Sequence, residues 1–244
     1  SAHGSTLHPA PPHADGWGLE VRLLASGGAG ALKMLSLPTG TGVRADASRR
    51  VGDLVDPAHD MVVAVLSAWG RDRAEAMARL RRSVERTVVV LERGEHNRSD
   101  LLTLLDHPDL HAGPLTGGWY DDVIGQAQPA ISPLAIVAAA VEAYEADLEV
   151  VLTNFFASAR HGRPANPEAV GSQVHLSSGE TAHSFRVDRI GPNTYRVHDG
   201  TTIEVVVNRL GEFERRLISG GRKHAVIANT RGAEFLIDVD GQVH

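Results

Sequence analysis

The sequence contains no cysteine, which excludes a disulfide framework and a thiolate zinc site. Aromatic residues are scarce, with three Trp, three Tyr and five Phe, and the net charge is −6. Because nucleic-acid-binding domains normally present a basic face with stacking aromatic side chains, we expect no nucleic-acid partner. No apolar run approaches the roughly 20 residues that a membrane-spanning helix needs. We therefore expect no membrane association, and the absence of cysteine fits a cytoplasmic location.

The length and hydrophobic composition of the chain predict a globular protein. With 244 residues, 42% of them hydrophobic, the chain is long enough for one or two domains with an ordinary core. Residues Ser1–Gly16 are rich in Pro, His and Gly without periodicity, and this pattern predicts a disordered tail or an expression scar. The 13 histidines show no metal-ligand spacing, so we expect no metal site.

From Gly18 to about Asp122, the pattern predicts short strands followed by helices. The clearest helix is expected over Arg71–Thr87, where apolar residues recur at intervals of three and four. Its apolar face carries Met77, Leu80, Val84 and Val88.

A second, longer helix is predicted from Ser132, an N-cap residue, through Pro133 in the first turn to about His161. One stripe of this helix consists of Leu134, Val137, Val141, Tyr144, Leu148, Val151 and Phe155. A stripe of this length must be buried against another element.

After this helix the pattern changes to short segments that alternate apolar and polar residues, separated by turn dipeptides such as Asp199-Gly200 and Gly220-Gly221. The predicted strands are Gln173–Leu176, Thr181–Ile190, Thr194–His198, Thr202–Asn208, Glu212–Leu217, Lys223–Asn229 and Ala233–Val239. Such regular spacing favours a meandering antiparallel sheet, which avoids free edges when it closes as a barrel. We expect the long helix to pack against or inside that barrel.

The segment Leu37–Gly70 contains a distinctive series of features: Pro38, Gly42-Val43-Arg44, Asp46, Gly52-Asp53, His59-Asp60, the apolar strand Met61–Leu66 and Trp69-Gly70. In this order they resemble the C-terminal lobe of biotin carboxylase almost residue for residue. Gly18–Ala25 is similar to the strand that opens this lobe, and Asn97–Asp122 is similar to its closing leucine-rich helix and tail. The resemblance implies a lobe with an antiparallel sheet and helices.

The sequence also differs from the family pattern at several positions. Ser26–Gly30 replaces a Phe-Leu-Pro-Ser turn, His59 replaces a tyrosine and Val65 replaces a lysine. No ATP-grasp half precedes Gly18, and no glycine-rich phosphate loop or Glu-Xaa-Asn-Xaa-Arg run is present in this sequence. We therefore expect the chain to derive from a longer polypeptide and not to hydrolyse ATP by itself.

The helix followed by strands, directly after such a lobe, is similar to the interaction domain of acyl-CoA carboxylase α-subunits of the acetyl or propionyl type. The expected fold class is α+β, with the lobe at 17–123 and a helix plus β-barrel domain at 124–244, after a tail at 1–16. The resemblance implies a carboxyltransferase β-subunit and a biotin carboxyl carrier domain as partners. Biotin, ATP and Mg would serve the parent enzyme, with no cofactor bound by this chain. The alternative is a degenerate, non-catalytic scaffold for subunit assembly.

The resemblance also implies a role for one side chain. Arg44 matches the arginine that faces the ureido oxygen of biotin and stabilises its enolate, a role that suits a permanently cationic, planar group of donors. The alternative for Arg44 is a surface residue paired with Asp46. Glu20 and Arg22 are expected to form a structural ion pair, and Lys33 to be an ordinary strand residue.

Partner contacts are predicted in the longest loop, His161–Gly171, whose prolines order the backbone before binding. The candidate partner-binding residues are Arg163, Pro164, Asn166, Pro167 and Glu168.

Overall fold

The computed structural model describes residues 15–113, 115–126, 131–160, 162, 172–178 and 181–244. The strands of the first half are β1 (Trp17–Ser26), β2 (Gly30–Ser36), β3 (Val43–Ala47), β4 (Leu54–Val55), β5 (Val62–Gly70), β6 (Val88–Leu91) and β7 (Glu95–His96). Its helices are α1 (Arg73–Arg86), α2 (Arg98–Asp106), α3 (Pro108–Ala112) and α4 (Trp119–Gln126).

Two antiparallel sheets and helix α1 form the core of the first half. The strand orders are β3-β5-β1-β7 and β4-β2-β6. Helix α1 begins after Asp72, whose carboxylate accepts a hydrogen bond from the Glu75 backbone N–H at 2.8 Å. Its buried face includes Leu80 and Val84, as predicted, whereas Val88 belongs to β6. The predicted combination of an antiparallel sheet with helices in this part of the chain is therefore confirmed.

The second half consists of one long helix and a meander of strands. Its elements are α5 (Pro133–Ala159), β8 (Ser172–Ser178), β9 (Thr181–Arg189), β10 (Thr194–Asp199), β11 (Thr201–Arg209), β12 (Glu214–Ser219), β13 (Arg222–Arg231), β14 (Glu234–Val239) and β15 (Gln242–Val243). All seven predicted strands are present, and β15 is additional. The Gly220-Gly221 turn between β12 and β13 has φ values of 55° and 79°, the left-handed region that glycine adopts without strain.

The sheet of the second half is a half-barrel, not the closed barrel expected from the strand spacing. Its order is β15-β14-β13-β12-β11-β10-β9-β8, and the described strands at its two ends do not pair with each other. Helix α5 contacts both β8 and β14, and a cavity of about 1040 Å³ lies between these strands along the helix. Helix α5 therefore lies against both ends of the open sheet.

The first half of α5 supplies the core beneath this sheet. Val141 and Tyr144 are buried among Phe185, Val187 and Tyr195, as the predicted stripe requires. The Tyr144 and Tyr195 rings meet edge to face, with centroids 6.2 Å apart. Ser132 occupies the N-cap position as predicted, but its side chain makes no capping hydrogen bond.

Buried polar contacts fix α5 to the strands. Arg215 donates to both carboxylate oxygens of Glu142 at 2.7 and 3.1 Å, and both side chains are buried. The Tyr195 hydroxyl donates to Glu145, one helical turn from the Arg215 contact. Burial, followed by this hydrogen bond, raises the pKa of the Tyr195 phenol, which keeps the hydroxyl protonated as a donor.

The second half of α5 extends beyond the sheet, so the prediction that its whole stripe is buried is wrong at this end. In the predicted stripe, Val151 is 36% exposed and Phe155 is only partly buried. Outside the stripe, Val150, Leu152 and Phe156 are 60%, 43% and 64% exposed. The helix ends at Ala159, two residues before the predicted end. No helix in the described ranges is long and apolar enough to cross a membrane.

A buried ion pair joins the two halves of the molecule. The Arg98 guanidinium, only 3% exposed, donates to Asp238 of β14. Arg98 also donates to the backbone oxygens of Val84 at 2.9 Å and Glu85 at 2.5 Å, both in the last turn of α1. One side chain of α2 therefore connects α1 to the half-barrel.

We predict that Tyr144→Asp destabilises the second half by about 4 kcal/mol or more, because it places an unpaired charge in the core. Val150→Asp is the matched control, since it introduces the same carboxylate into the exposed end of the same helix. Amide exchange of β9 and β10 in the two variants measures the effect. Unchanged protection of these strands in Tyr144→Asp would show that α5 does not form their core.

Candidate functional site

The exposed face of the four-stranded sheet brings the predicted site residue together with other polar side chains. In the register of β3, β5 and β1, Arg44 lies opposite Ser67, which lies opposite Glu20. In the next row on the same face, Asp46 lies opposite Val65 and Val65 opposite Arg22. The intervening residues face α1 and the core, because side chains alternate along a strand.

Arg44 is highly exposed and pairs with its neighbour along the strand. Its Nε donates to Asp46 Oδ2 at 2.6 Å, and the Arg44 side chain is 78% exposed. The hydrogen bond to Asp46 and then the charge of this carboxylate raise the pKa of Arg44. The guanidinium is therefore cationic, with its remaining donors open to an incoming acceptor.

A groove of about 490 Å³ lies beside Arg44 on this face. Its lining comprises Gly18, Leu19, Glu20, Gly42, Val43, Arg44, Ser67, Ala68 and Trp69. Gly42 has φ of 71°, and a Cβ there would lie 2.8 Å from the Trp69 backbone oxygen and 2.4 Å from Arg79. The Gly-Val-Arg sequence therefore needs glycine to place Arg44 at the groove.

Trp69 closes the groove at one end and is held on both sides. Its indole N–H donates to the Asp15 backbone oxygen at 2.9 Å, and the Arg79 guanidinium lies 5.9 Å from the ring centroid. Sequence reasoning placed Trp69 in the family pattern but did not identify Trp69 or Ser67 as site residues. Side chains alternate along β5, so Ser67 and Trp69 lie on the same face of the sheet. Once the register with β3 is known, this is also the face that carries Arg44.

The structure also places three other groups of residues from the sequence analysis, two on this face and one in the second sheet. The predicted ion pair between Glu20 and Arg22 is wrong for the described side chains, because Glu20 instead accepts a hydrogen bond from the Ser67 hydroxyl at 3.2 Å. Val65, at the place of the family lysine, is half-buried between Asp46 and Arg22. Lys33 lies in β2 as an exposed strand residue, 3.8 Å from Glu92.

The remaining candidates lie away from this face or outside the described residues. His59 is exposed and bonds Asp56 at 2.7 Å through Nδ1. Arg163, Pro164, Asn166, Pro167 and Glu168 lie outside the described residues, so their partner-binding role stays a prediction. Within the described part of the chain, no group of three or more His, Asp or Glu side chains could hold a metal.

Comparison with known proteins accounts for the first half of the chain. Residues 24–122 match the biotin carboxylase C-terminal domain. A curated relative, biotin carboxylase 1 of Bacillus subtilis strain 168, is 30% identical over 120 residues. The alignment covers 46% of this chain and 26% of the relative, so the chain spans about a quarter of the relative's length. The chain is thus homologous to biotin carboxylases over this lobe.

Solved structures of biotin carboxylase domains are also similar to about half of this chain. The domain of a single-chain bacterial carboxylase is 25% identical with a TM-score of 0.43, covering 48% of this chain and 27% of that one. The domain of Hydrogenobacter thermophilus 2-oxoglutarate carboxylase, bound to MgADP, ADP and bicarbonate, is 20% identical with a TM-score of 0.42. That match covers 47% of this chain and 27% of the structure.

We predict that Arg44→Ala leaves the melting temperature unchanged, because the side chain is exposed on the biotin carboxylase C-terminal lobe. In contrast, Arg98→Ala should lower the free energy of unfolding by about 3–5 kcal/mol, because it leaves Asp238 buried without its partner. Thermal and denaturant unfolding of both variants test this contrast. A large loss of stability in Arg44→Ala would show that this arginine is structural and would weaken its assignment as a site residue.

Proposed function

We propose that this chain is part of the α-subunit of a biotin-dependent acyl-CoA carboxylase of the acetyl or propionyl type, and that it connects the biotin carboxylase to the carboxyltransferase. The order of the two halves carries the proposal: a biotin carboxylase C-terminal lobe is followed directly by a long helix and an antiparallel meander. In the parent enzyme, ATP, Mg and bicarbonate would carboxylate biotin on a carrier domain. The carboxyltransferase β-subunit would then carboxylate the acyl-CoA.

Arg44 would serve this reaction from the exposed sheet face. A guanidinium that is permanently charged can stabilise negative charge on the ureido oxygen of biotin as the carboxyl group is transferred. The adjacent groove opens on the exposed sheet face. A carrier domain that docks on this face would bring its biotin to Arg44. Asp46 would hold the guanidinium in place through the 2.6 Å hydrogen bond at Nε, leaving the other nitrogens for the ligand.

The exposed end of α5 supports the docking role of the second half. Val150, Leu152 and Phe156 project from the helix beyond the sheet, where apolar side chains of this size are normally covered. The helix leads into the predicted contact loop, His161–Gly171. A carboxyltransferase β-subunit that covers the exposed end of α5 and this loop would bury apolar side chains together with polar ones, as stable subunit interfaces do.

A non-catalytic scaffold is the second candidate function. It is favoured by His59, Val65 and the short Ser26–Gly30 turn, which replace family residues. A glycine-rich loop and a Glu-Xaa-Asn-Xaa-Arg run elsewhere in the natural polypeptide would favour the enzyme. A polypeptide without them would favour the scaffold.

We predict that the 244-residue chain, mixed with ATP, magnesium, bicarbonate and free biotin, releases no phosphate above background. The reason is that the sequence contains no phosphate-binding loop of the ATP-grasp type. A complete biotin carboxylase assayed in parallel shows that the conditions support turnover. A biotin-dependent rate that copurifies with the chain would contradict this prediction.

We predict that the chain binds the carboxyltransferase β-subunit of its own organism, and that Phe156→Asp weakens this binding at least tenfold. A carboxylate at this position cannot enter an apolar interface without losing its hydration. Thr153→Asp is the matched control, because it adds the same charge to an exposed polar position of the same helical segment. Calorimetric titration of both variants measures the difference.

A third variant tests the loop. Replacing Arg163–Glu168 by Gly and Ser should also weaken binding to the β-subunit. Equal binding by this variant and the unaltered chain would refute the loop assignment. If the unaltered chain does not bind, the docking proposal fails as a whole.

A further inference from the structure

A cavity of about 620 Å³ lies between the lobe and the half-barrel. It is lined on one side by the end of β1, β6, β7 and the start of α2, and on the other by β13, β14 and β15. The Arg98–Asp238 pair lies at its edge, so the same contact that joins the two halves also shapes the cavity. Its volume is within the range of pockets that hold small molecules.

Three buried polar atoms without partners belong to side chains that line this cavity. They are His96 Nδ1, Arg231 Nε and His244 Nε2. In the described part of the chain only one further buried side-chain atom lacks a partner, Arg49 Nε, and Arg49 does not line the cavity. Buried polar groups are almost always hydrogen-bonded, so three such atoms around one cavity indicate a missing acceptor or donor there.

Arg231 also lacks a counter-charge. Its guanidinium donates to the Leu91 backbone oxygen at 2.7 Å, and it forms no ion pair with a carboxylate of the described residues. Burial lowers the pKa of Arg231, and the charges of Glu234 and Glu95 offset this only in part. A partly buried cation is normally stabilised by an anion that accepts its hydrogen bonds.

The rest of the lining is mainly apolar. It includes Leu24, Met61, Val89, Ile227 and Leu236. Three carboxylates, those of Glu95, Asp100 and Asp238, also line the cavity. Asp238 is paired with Arg98, and burial, followed by the charge of Glu95, raises the pKa of Asp100.

We propose that this cavity is a binding site for a small aliphatic monocarboxylate, whose carboxylate lies against Arg231 and the two histidines and whose chain lies against the apolar wall. One oxygen would accept from Arg231 Nε and supply its missing counter-charge. The other would accept from the imidazole N–H of His244, whose Nε2 is one of the three unpartnered atoms. This site is distinct from the groove beside Arg44 and does not depend on the proposed carboxylase function.

Calorimetric titration of the 244-residue chain with hexanoate, and separately with hexanol, tests the proposal. The two probes share an aliphatic chain, but only hexanoate carries the charge, so we expect one hexanoate per chain and at least tenfold weaker binding of hexanol. Arg231→Gln should weaken hexanoate binding about 10- to 100-fold, the range expected for a lost charge-assisted hydrogen bond. Arg222→Gln, at the exposed opposite end of β13, is the matched control and should bind hexanoate normally.

A crystal structure of the unaltered chain with hexanoate keeps the test decisive if Arg231→Gln does not fold. Density for the carboxylate at Arg231 Nε supports the proposal. Ordered water alone at the three unpartnered atoms would overturn it, as would equal binding of hexanoate and hexanol. Unchanged hexanoate affinity in a folded Arg231→Gln variant would overturn it as well.

Discussion

The second half of this protein depends on the burial of helix α5 against an open sheet. A meander of eight strands with one apolar face cannot be stable unless that face is covered. Helix α5 covers it with small residues near the gap between the sheet ends, such as Ala135 and Ala139, and with Val141 and Tyr144 deeper inside. The gap between β8 and β14 is therefore bordered by a helix and is not closed by strand pairing.

The same helix carries the polar contacts that set its position along the sheet. Hydrophobic burial does not specify direction, so a helix on an apolar surface can slide or rotate at little cost. The bidentate Glu142–Arg215 pair and the Glu145–Tyr195 hydrogen bond each have one favourable geometry. Together they define one rotation and one register of α5, and hence which of its residues extend beyond the sheet.

The Arg98–Asp238 pair has a comparable role between the two halves. Its guanidinium bonds two carbonyl oxygens at the end of α1 and a carboxylate on β14, so all three elements share one buried side chain. Asp238 in turn accepts a hydrogen bond from the Gly241 backbone N–H at 2.8 Å, which fixes the turn into β15. Further contacts join the halves around the cavity, since Asn229 and Arg231 donate to the Leu91 backbone oxygen at 3.0 and 2.7 Å.

Much of this architecture follows from the sequence. Alternation and turn residues determined all seven predicted strands, and the spacing of Leu80 and Val84 determined the buried face of α1, because these periodicities are local. The family resemblance of Gly42-Val43-Arg44 also placed Arg44 in a strand, which the structure confirms. Only the tertiary structure decided the rest. Whether the sheet closes, which end of α5 is covered, and whether Arg98 meets Asp238 all depend on residues far apart in the chain, whose pairing no local pattern records.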